Sequence, residues 1–464
     1  MPKFYIETVG CQMNVLDSEQ AVAGLRRCGF ERTTDKKDAD IILFNTCSVR
    51  QHAEDKVYSA LGRLKHWKEL HPNGIIGVLG CMAQKDQKLI FQRAPFVDLV
   101  LGPGQLDKLP GIICDFLQTN TAGCRLPAAN LLQVSLTRLE HRHSDVADSF
   151  QQYDPLRDAG SRKNKFQAMV RIMFGCDKFC TYCIVPKVRG PEQSRPPKEI
   201  LDEVKILADE GVLEITLLGQ TVNSYKYLNG GTCSVKLADL LYQISEVNGI
   251  RRIRFVTNYP IGIDDDLLFA VRDLPKVAPY LHVPAQSGSD SVLKRMKRQY
   301  TVPQYKELVE KIYATVPDAA ITSDFIVGFC GETDEEFQAT VDLVKFARFK
   351  NSFIFKYSER PGTKAAELYA DNVPEEIKKE RNNELLRIQD EIGLELNKTF
   401  ISKEVEILVD GKTGKGGTSS AANVQLSGRT ACDRIVVFDS PDDSLIGQFI
   451  KRRIADAAPF TLFG

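Results

Sequence analysis

The chain has one tryptophan, Trp67, and six histidines in 464 residues. The histidines are scattered, and only His282 falls inside a patterned segment. The other five read as ordinary structural residues. Net charge is also lacking: Lys and Arg total 61, and Asp and Glu total 61. That balance removes any whole-molecule electrostatic argument for nucleic acid, so such a site must be local. No apolar run approaches the roughly 20 residues that a bilayer requires. The opening Met1-Pro-Lys-Phe-Tyr-Ile-Glu-Thr has no signal-peptide pattern. A cytoplasmic chain without a membrane partner is the expectation. Cysteine, by contrast, is plentiful, with 12. In a cytosolic chain that number argues for metal or catalysis over disulfides. The length and the ordinary composition, 43% hydrophobic and 26% charged, leave room for two or three domains.

Cys176, Cys180 and Cys183 stand in the run Met173-Phe-Gly-Cys-Asp-Lys-Phe-Cys-Thr-Tyr-Cys-Ile-Val-Pro. A cubane iron–sulfur cluster has four irons, each normally held by a thiolate. Three closely spaced thiolates hold three irons and leave the fourth open to a small molecule. A zinc site is the alternative, but zinc usually takes four protein ligands in paired units. No fourth Cys or His lies near this run. The spacing resembles the radical S-adenosylmethionine enzymes, in which the open iron chelates the amino acid end of that cofactor.

The N-terminal part reads as strand, cysteine, helix, repeated. Lys3–Val9 ends in Gly10-Cys11, Asp40–Phe44 runs on to Asn45-Thr46-Cys47, and Ile75–Leu79 ends in Gly80-Cys81. Helical stretches follow at Asp17–Cys28 and Glu54–Leu70, the latter with Val57, Leu61 and Leu64 at helical spacing. A fourth strand, Val97–Leu101, ends in Gly102-Pro103-Gly104. Such alternation makes a parallel sheet with right-handed crossovers. Its sites form at the carboxyl ends of the strands, where all three cysteines lie. Three buried cysteines would be the plain reading, since free Cys packs as a small hydrophobe. Their shared position past strand ends favours a second three-thiolate cluster on Cys11, Cys47 and Cys81. Gly10 and Gly80 would let the backbone approach it. The other six cysteines (Cys28, Cys114, Cys124, Cys233, Cys330, Cys432) share no pattern and read as structural.

Residues 120–161 turn polar and irregular, as a linker or surface excursion. A new alternation follows. Phe166–Phe174 leads into the cysteine loop, then come Glu214–Gly219, Arg252–Thr257, Tyr280–Pro284, Ala320–Val327 and Ser352–Tyr357. Helices alternate with them, including Lys198–Glu210 and Val302–Tyr313. Six strands with helices give an incomplete parallel barrel, whose site belongs at the carboxyl face. Polar residues cluster at those strand ends: Gln220 and Asn223; His282, Gln286, Ser287 and Ser289; Ser323 and Asp324; Tyr357, Ser358 and Arg360. Ser289 and Thr333 also read as helix caps. Tyr182, Gln220, Asn223, Gln286 and Asp324 are the candidates for binding S-adenosylmethionine, with Tyr182 placed to pack near its adenine.

Pro374–Lys398 reads as a charged helix. Glu404–Val409, Arg434–Phe438 and Gly447–Ile454 read as strands of a small β-barrel, a class that often binds oligonucleotides. Arg429, Arg434, Lys451, Arg452 and Arg453 offer local charge for a phosphate backbone. The plain alternative is a solvated domain that caps the barrel. Gly411-Lys-Thr-Gly-Lys-Gly-Gly imitates a phosphate loop, but Glu406 stands where the pattern needs its first glycine, and no helix follows. It reads as a flexible hairpin connection.

Together these motifs resemble the methylthiotransferase family of radical enzymes. Thr8-Val-Gly-Cys-Gln-Met-Asn, Asn45-Thr-Cys-Ser-Val-Arg and Gly80-Cys-Met-Ala-Gln resemble its N-terminal domain. The run from Gly175 through Pro186, then Arg189-Gly, Ser194-Arg-Pro, Leu217-Leu-Gly-Gln-Thr-Val-Asn, His282-Val-Pro-Ala-Gln-Ser-Gly-Ser, Asp324-Phe-Ile-Val-Gly-Phe and Tyr357-Ser-Glu-Arg-Pro-Gly-Thr, resembles its radical core. Gly428-Arg-Thr resembles its RNA-binding TRAM domain. Asp177-Lys-Phe-Cys-Thr-Tyr-Cys-Ile-Val-Pro is similar to the MiaB branch, which acts on N6-isopentenyladenosine beside the tRNA anticodon. Cys330 stands where proline is usual, and Thr257-Asn-Tyr-Pro replaces Thr-Ser-His-Pro.

The resemblance implies an α/β protein in three parts: a cluster-binding domain over 1–119, a partial (βα)6 radical core over 162–396 and a TRAM-like β-barrel over 398–462. It implies two [4Fe-4S] clusters and S-adenosylmethionine, with a deoxyadenosyl radical taking hydrogen from carbon 2 of the adenine. Sulfur would come from the cluster on Cys11, Cys47 and Cys81, and a second S-adenosylmethionine would supply the methyl. The implied partners are a tRNA anticodon stem-loop, a flavodoxin- or ferredoxin-like electron donor and a sulfur source. Sister activities act on threonylcarbamoyl-adenosine in tRNA or on a ribosomal protein. A nucleic-acid-binding electron carrier is a reading of another class, against which two incomplete triads argue.

Overall fold

The computed structural model describes residues 1–48, 51–121, 131–134, 157–229, 233–413 and 424–464. The first sheet has six parallel strands: β1 (Lys3–Val9), β2 (Glu31–Arg32), β3 (Ile41–Thr46), β4 (Ile75–Gly80), β5 (Leu99–Leu101) and β6 (Leu131–Gln133), in the order β2-β1-β3-β4-β5-β6. Every residue of β3, β4 and β5 is buried, as a sheet covered on both faces demands. Phe44, Val57, Leu61 and Leu64 pack on one face under the helix Gln51–Leu70. Phe4, Leu25, Ile41 and Ile113 pack on the other.

Two boundaries differ from expectation. The first helix starts at Gln12, not Asp17, because Cys11 is extended (φ −92°, ψ 176°) and occupies the N-cap. Leu131–Gln133 lies in the expected linker yet pairs with β5 as the sixth strand. Three residues are too few for an alternation to register in the sequence. Of the expected linker, residues 122–130 and 135–156 lie outside the described residues, and Asp158 and Ser161 form a turn.

The second body has six parallel strands: β7 (Gln167–Arg171), β8 (Glu214–Leu218), β9 (Arg252–Phe255), β10 (Tyr280–His282), β11 (Ala320–Val327) and β12 (Asn351–Lys356). They form two triplets, β9-β8-β7 and β10-β11-β12, joined where Ile253 bridges to Val277. Among the described residues no pairing of β12 with β7 closes the ring. The expected strand Phe166–Phe174 is split. It leaves the barrel at Ile172, and Met173–Phe174 pairs antiparallel with Gln193–Ser194. That hairpin base holds the cysteine loop. Strand alternation sorts the side chains. Ile215, Leu217, Ile253, Phe255, Ile321, Phe325 and Ile354 pack under the helices. Glu214, Arg254, Thr322, Asp324, Ile326, Phe353 and Phe355, at the alternate positions, face the barrel interior. Ser289 and Thr333 cap helices as expected, accepting from the Val292 and Glu336 amides.

The helix Glu375–Lys398 leads to a curled sheet of β13 (Glu404–Lys412), β14 (Val424–Thr430), β15 (Ile435–Ser440), β16 (Phe449–Arg453), β17 (Asp456–Ala457) and β18 (Thr461–Phe463), ordered β16-β13-β14-β15-β18-β17. Ile407, Val409, Leu426, Val436, Phe438 and Leu462 fill it. β14 escaped the sequence reading because Ser427, Gly428 and Arg429 interrupt its apolar alternation. The glycine-rich connection from 414 to 423 lies outside the described residues, and its flanks β13 and β14 are antiparallel partners. This domain docks on the amino-terminal feet of the barrel strands. Arg252 donates to the Arg429 carbonyl at 3.0 Å and Arg254 to the Thr430 carbonyl at 2.7 Å. Lys350 bonds Asp433, and Arg251 pairs with Glu406. The cysteine loop lies at the opposite end. No helix among the described residues is long and apolar enough to cross a membrane.

Candidate cluster and substrate site

The parallel register brings the first three strand ends level: Val9 pairs with Thr46, and Thr46 with Gly80. The next residue or two are Cys11, Cys47 and Cys81. Gly10 (φ +155°) and Gly80 (φ +88°) hold backbone conformations that side chains resist. A Cβ on Gly10 would strike Cys47, and one on Gly80 would strike Asn45. Beneath them Asn14 donates to Asn45 Oδ1 at 3.1 Å, and Asn45 returns a bond to the Asn14 carbonyl at 2.8 Å. The Cys11 thiol donates to Asn14 Oδ1 at 3.1 Å. A hydrogen bond with Cys47 pulls the Cys11 thiol down to about 6 against the pull of burial, and the Arg189 charge assists. Burial pushes Cys81 up, opposed by Arg189.

The second triad sits on a loop that leaves the hairpin at Gly175. That residue has φ +77°, and a Cβ on it would overlap the Pro191 carbonyl. Phe179 is also left-handed, at φ +52°. The Cys176 amide donates to the Gly190 carbonyl, and that of Cys183 to the Cys180 carbonyl. Arg298 Nη1 donates to Cys180 Sγ at 3.2 Å, and Thr221 Oγ1 lies 3.6 Å from Cys176 Sγ. Burial pushes Cys183 up to about 12, with the Cys180 and Cys176 charges adding to it. The three thiols therefore stand within each other's field.

Among the described residues no three His, Cys, Asp or Glu side chains converge on a point that one metal ion could occupy. A cubane asks for something else: three thiolates each on a different iron, with N–H donors around the sulfurs. Both triads offer that: Cys176, Cys180 and Cys183 are half-buried, Cys11 is exposed beside buried Cys47 and Cys81, and amide and guanidinium donors and glycines without side chains surround them. The residues fit the group.

The two triads lie close together. Ile184 and Val188, just past Cys183, pack on Cys81. Arg189 donates Nε to Cys81 Sγ at 3.1 Å and Nη2 to Asp17 at 2.6 Å. Arg171 holds the other Asp17 oxygen at 2.7 Å. Arg360, after β12, donates to the Ser48 carbonyl and feels the charges of Glu54, Cys47 and Cys183.

The expected cofactor residues separate into groups. Gln286 (φ +69°) donates its amide to the Asp324 carbonyl at 2.8 Å, so these two are neighbours. His282 joins them, with Nδ1 3.0 Å from Thr322 Oγ1 and Nε2 3.3 Å from Asp324 Oδ2. Gln220 precedes Thr221 and leaves its buried Oε1 without a partner among the described residues. Tyr182 packs with Phe329, Tyr357 and Met296. Asn223 departs from expectation: its amide bonds both the carbonyl and the N–H of Tyr259, so it braces backbone.

The expected RNA residues also divide. Arg434 is a correction, because it is 8% exposed, bonds Asn397 and covers the Phe400 ring. Arg429 is partly exposed and pairs with Asp433 and Asp410. Lys451 and Arg453 are exposed, and Arg452 lies over Phe438. Sequence reasoning missed Phe353 and Phe355. They alternate with buried Ile354, and the two remain 46% and 38% exposed. Their register partners on β11 are Asp324 and Ile326, and the His282 ring lies 6.2 Å from Phe353. Two half-exposed aromatics facing a barrel interior were visible in the Phe-Ile-Phe alternation.

Residues 3–102 match a family described as Uncharacterized protein family UPF0004, and residues 170–344 match the Radical SAM superfamily. A protein of Rhodopirellula baltica called tRNA-2-methylthio-N(6)-dimethylallyladenosine synthase is 54% identical over 99% of this chain and 94% of its own. Proteins of that name from Thermoanaerobacter pseudethanolicus and Clostridium botulinum are each 40% identical, over 99% and 100% of this chain and 92% and 96% of theirs. Among solved structures, the radical S-adenosylmethionine methyltransferase TsrM of Kitasatospora setae superposes with a TM-score of 0.53 at 14% identity, over 79% of this chain and 74% of that one. That likeness concerns the fold.

Proposed function

The chain belongs to the tRNA-methylthiotransferase family of radical S-adenosylmethionine enzymes, and from that premise we propose that it inserts a methylthio group at carbon 2 of N6-dimethylallyladenosine beside the tRNA anticodon. The observation that carries the reading is the proximity of the two cysteine triads, linked through Ile184, Val188, Arg189 and Arg360. Cys176, Cys180 and Cys183 would hold one [4Fe-4S] cluster, and Cys11, Cys47 and Cys81 the other. When bound, these groups supply reductive cleavage of S-adenosylmethionine at the first and sulfur at the second.

The chain's own residues account for the surroundings. Arg298 and the Thr221 hydroxyl donate toward the barrel thiolates. His282, Asp324 and Gln286 form a polar rim where a sulfonium nucleoside fits. Beside it Phe353 and Phe355 offer an apolar wall suited to a five-carbon dimethylallyl group. A threonylcarbamoyl group there would bring a carboxylate, costly to bury without a cation. An adenine inside a stacked helix cannot offer carbon 2, so the target is a loop or flipped nucleotide, which the anticodon stem-loop supplies. A flavodoxin- or ferredoxin-like donor would reduce the clusters, a separate source would renew the sulfur, and the work would be done in the cytoplasm with tRNA. An electron carrier would place four thiolates on each cluster, against the three that each triad provides.

Mass spectrometry of tRNA nucleosides from cells lacking the protein tests the proposal. The 2-methylthio dimethylallyl nucleoside should vanish and its unthiolated precursor accumulate. Loss of methylthio from the threonylcarbamoyl nucleoside alone would assign the sister activity instead.

A further inference from the structure

The short helix Val185–Arg189 belongs to the barrel and begins two residues after Cys183. Its last side chain crosses into the first domain. Arg189 is 2% exposed. Its guanidinium lies over the Phe174 ring at 5.3 Å, and Asp17 fixes Nη2 at 2.6 Å. Nε is thereby aimed at Cys81 Sγ, 3.1 Å away. Nη1 is buried and has no hydrogen-bond partner among the described residues. An ion pair with Asp17 would be complete with Nη2 alone. It requires neither the Nε–H on sulfur nor an orphaned N–H, and an unmet buried donor is costly.

We propose that Arg189 is a positioning residue for the N-terminal iron–sulfur cluster: Nε–H donates to the Cys81 thiolate and Nη1–H to a sulfur of the cluster itself. This rests on the reading that Cys11, Cys47 and Cys81 hold a cluster. Hydrogen bonds to the sulfurs and a nearby positive charge stabilise the more reduced, more negative state, and so raise the reduction potential. Asp17, bonded to the same guanidinium, acts in the opposite sense, because its charge opposes that of Arg189 at Cys81. A helix rooted in the barrel's cysteine loop thus sets the electron density of the other cluster.

The test uses the full chain with Cys176, Cys180 and Cys183 changed to Ala, so that only the N-terminal cluster is read. Iron content is measured first, and about four irons per chain are expected. If this parent holds no iron, the cluster reading itself fails, which is a different result from failure of the Arg189 role. The midpoint potential and the electron paramagnetic resonance spectrum are then compared in Arg189→Gln and Asp17→Asn. The expectation is opposite signs: R189Q retains iron and its midpoint falls, whereas the midpoint of D17N rises. Loosening of the domain interface would move both the same way, and that outcome overturns the proposal. An unchanged midpoint and spectrum in iron-loaded R189Q also overturns it. Should R189Q hold no iron, Arg189→Lys decides, since lysine keeps the charge without the planar fork. A loaded R189K with an altered spectrum and a lowered midpoint supports the role, and one matching the parent in both refutes it.

Discussion

Truncating Phe353 and Phe355 to alanine separates recognition of the dimethylallyl group from general tRNA binding. A phenylalanine side chain presents about 200 Å2. With 46% and 38% exposed, the pair leaves about 90 and 75 Å2 bare, or about 165 Å2 together. Covering all of it would gain ~4 kcal/mol at about 25 cal/mol per Å2. A flat adenine with a five-carbon tail covers one side of the wall, so half of that, ~2 kcal/mol, is the reasonable share. The double variant should therefore raise KM for dimethylallyl-tRNA by about 10- to 30-fold. The assay follows 2-methylthio product by mass spectrometry over a range of concentrations of tRNA with the group. Binding of tRNA without it, measured separately, should weaken much less. Equal weakening toward both RNAs, or no change toward either, would refute the reasoning and move the apolar wall elsewhere.

Changing Cys11, Cys47 and Cys81 together to Ala should halve the iron, from about eight to about four per chain, yet leave deoxyadenosine formation. Loss of that cleavage with the barrel iron still bound would break the division of labour. Charge reversal at exposed Lys451 and Arg453 should weaken tRNA binding and flatten its salt dependence, by roughly 0.7–0.9 in slope for each phosphate no longer neutralised. An unaltered salt slope would make the C-terminal domain a plug for the barrel foot. Arg434→Ala should instead lower the melting temperature, because the side chain is buried on Asn397 and Phe400. Burial pulls the Lys350 ammonium down from 10.5 to about 8, with Asp433 opposing. Between those values the unfolded chain holds a proton that the folded chain has released, so the melting temperature should climb with pH there. Lys350→Met should flatten that climb, and equal slopes in both proteins would contradict it.

Most of the framework was legible because it is written locally. Strand alternation, glycines before cysteines and the Cys-x-x-x-Cys-x-x-Cys spacing each declare themselves within a dozen residues. The misses follow from interactions between distant segments. Cys11 takes an N-cap because the sheet register lifts it there, and Leu131–Gln133 becomes a strand only because β5 offers an edge. Asn223 was expected on the cofactor, but Tyr259 lies opposite it and occupies both ends of its amide. Arg434 looked like surface charge until the helix end at Asn397 enclosed it. Arg189 was legible as part of a motif, yet its reach to Cys81, 108 positions away, belongs to the packed molecule.

The buried charges between the first domain and the barrel have a mechanical consequence. Asp17 is shared by Arg171 and Arg189. Beside it Arg157 joins Glu19 to Glu203, which also binds Arg195. Opening a hinge here would strip partners from charges already out of water, at about 3–5 kcal/mol for each pair broken. These pairs therefore resist any change in the separation of the two thiol triads. In the proposed reaction, travel between the radical-forming end and the sulfur-bearing end would then fall to the nucleotide more than to the protein.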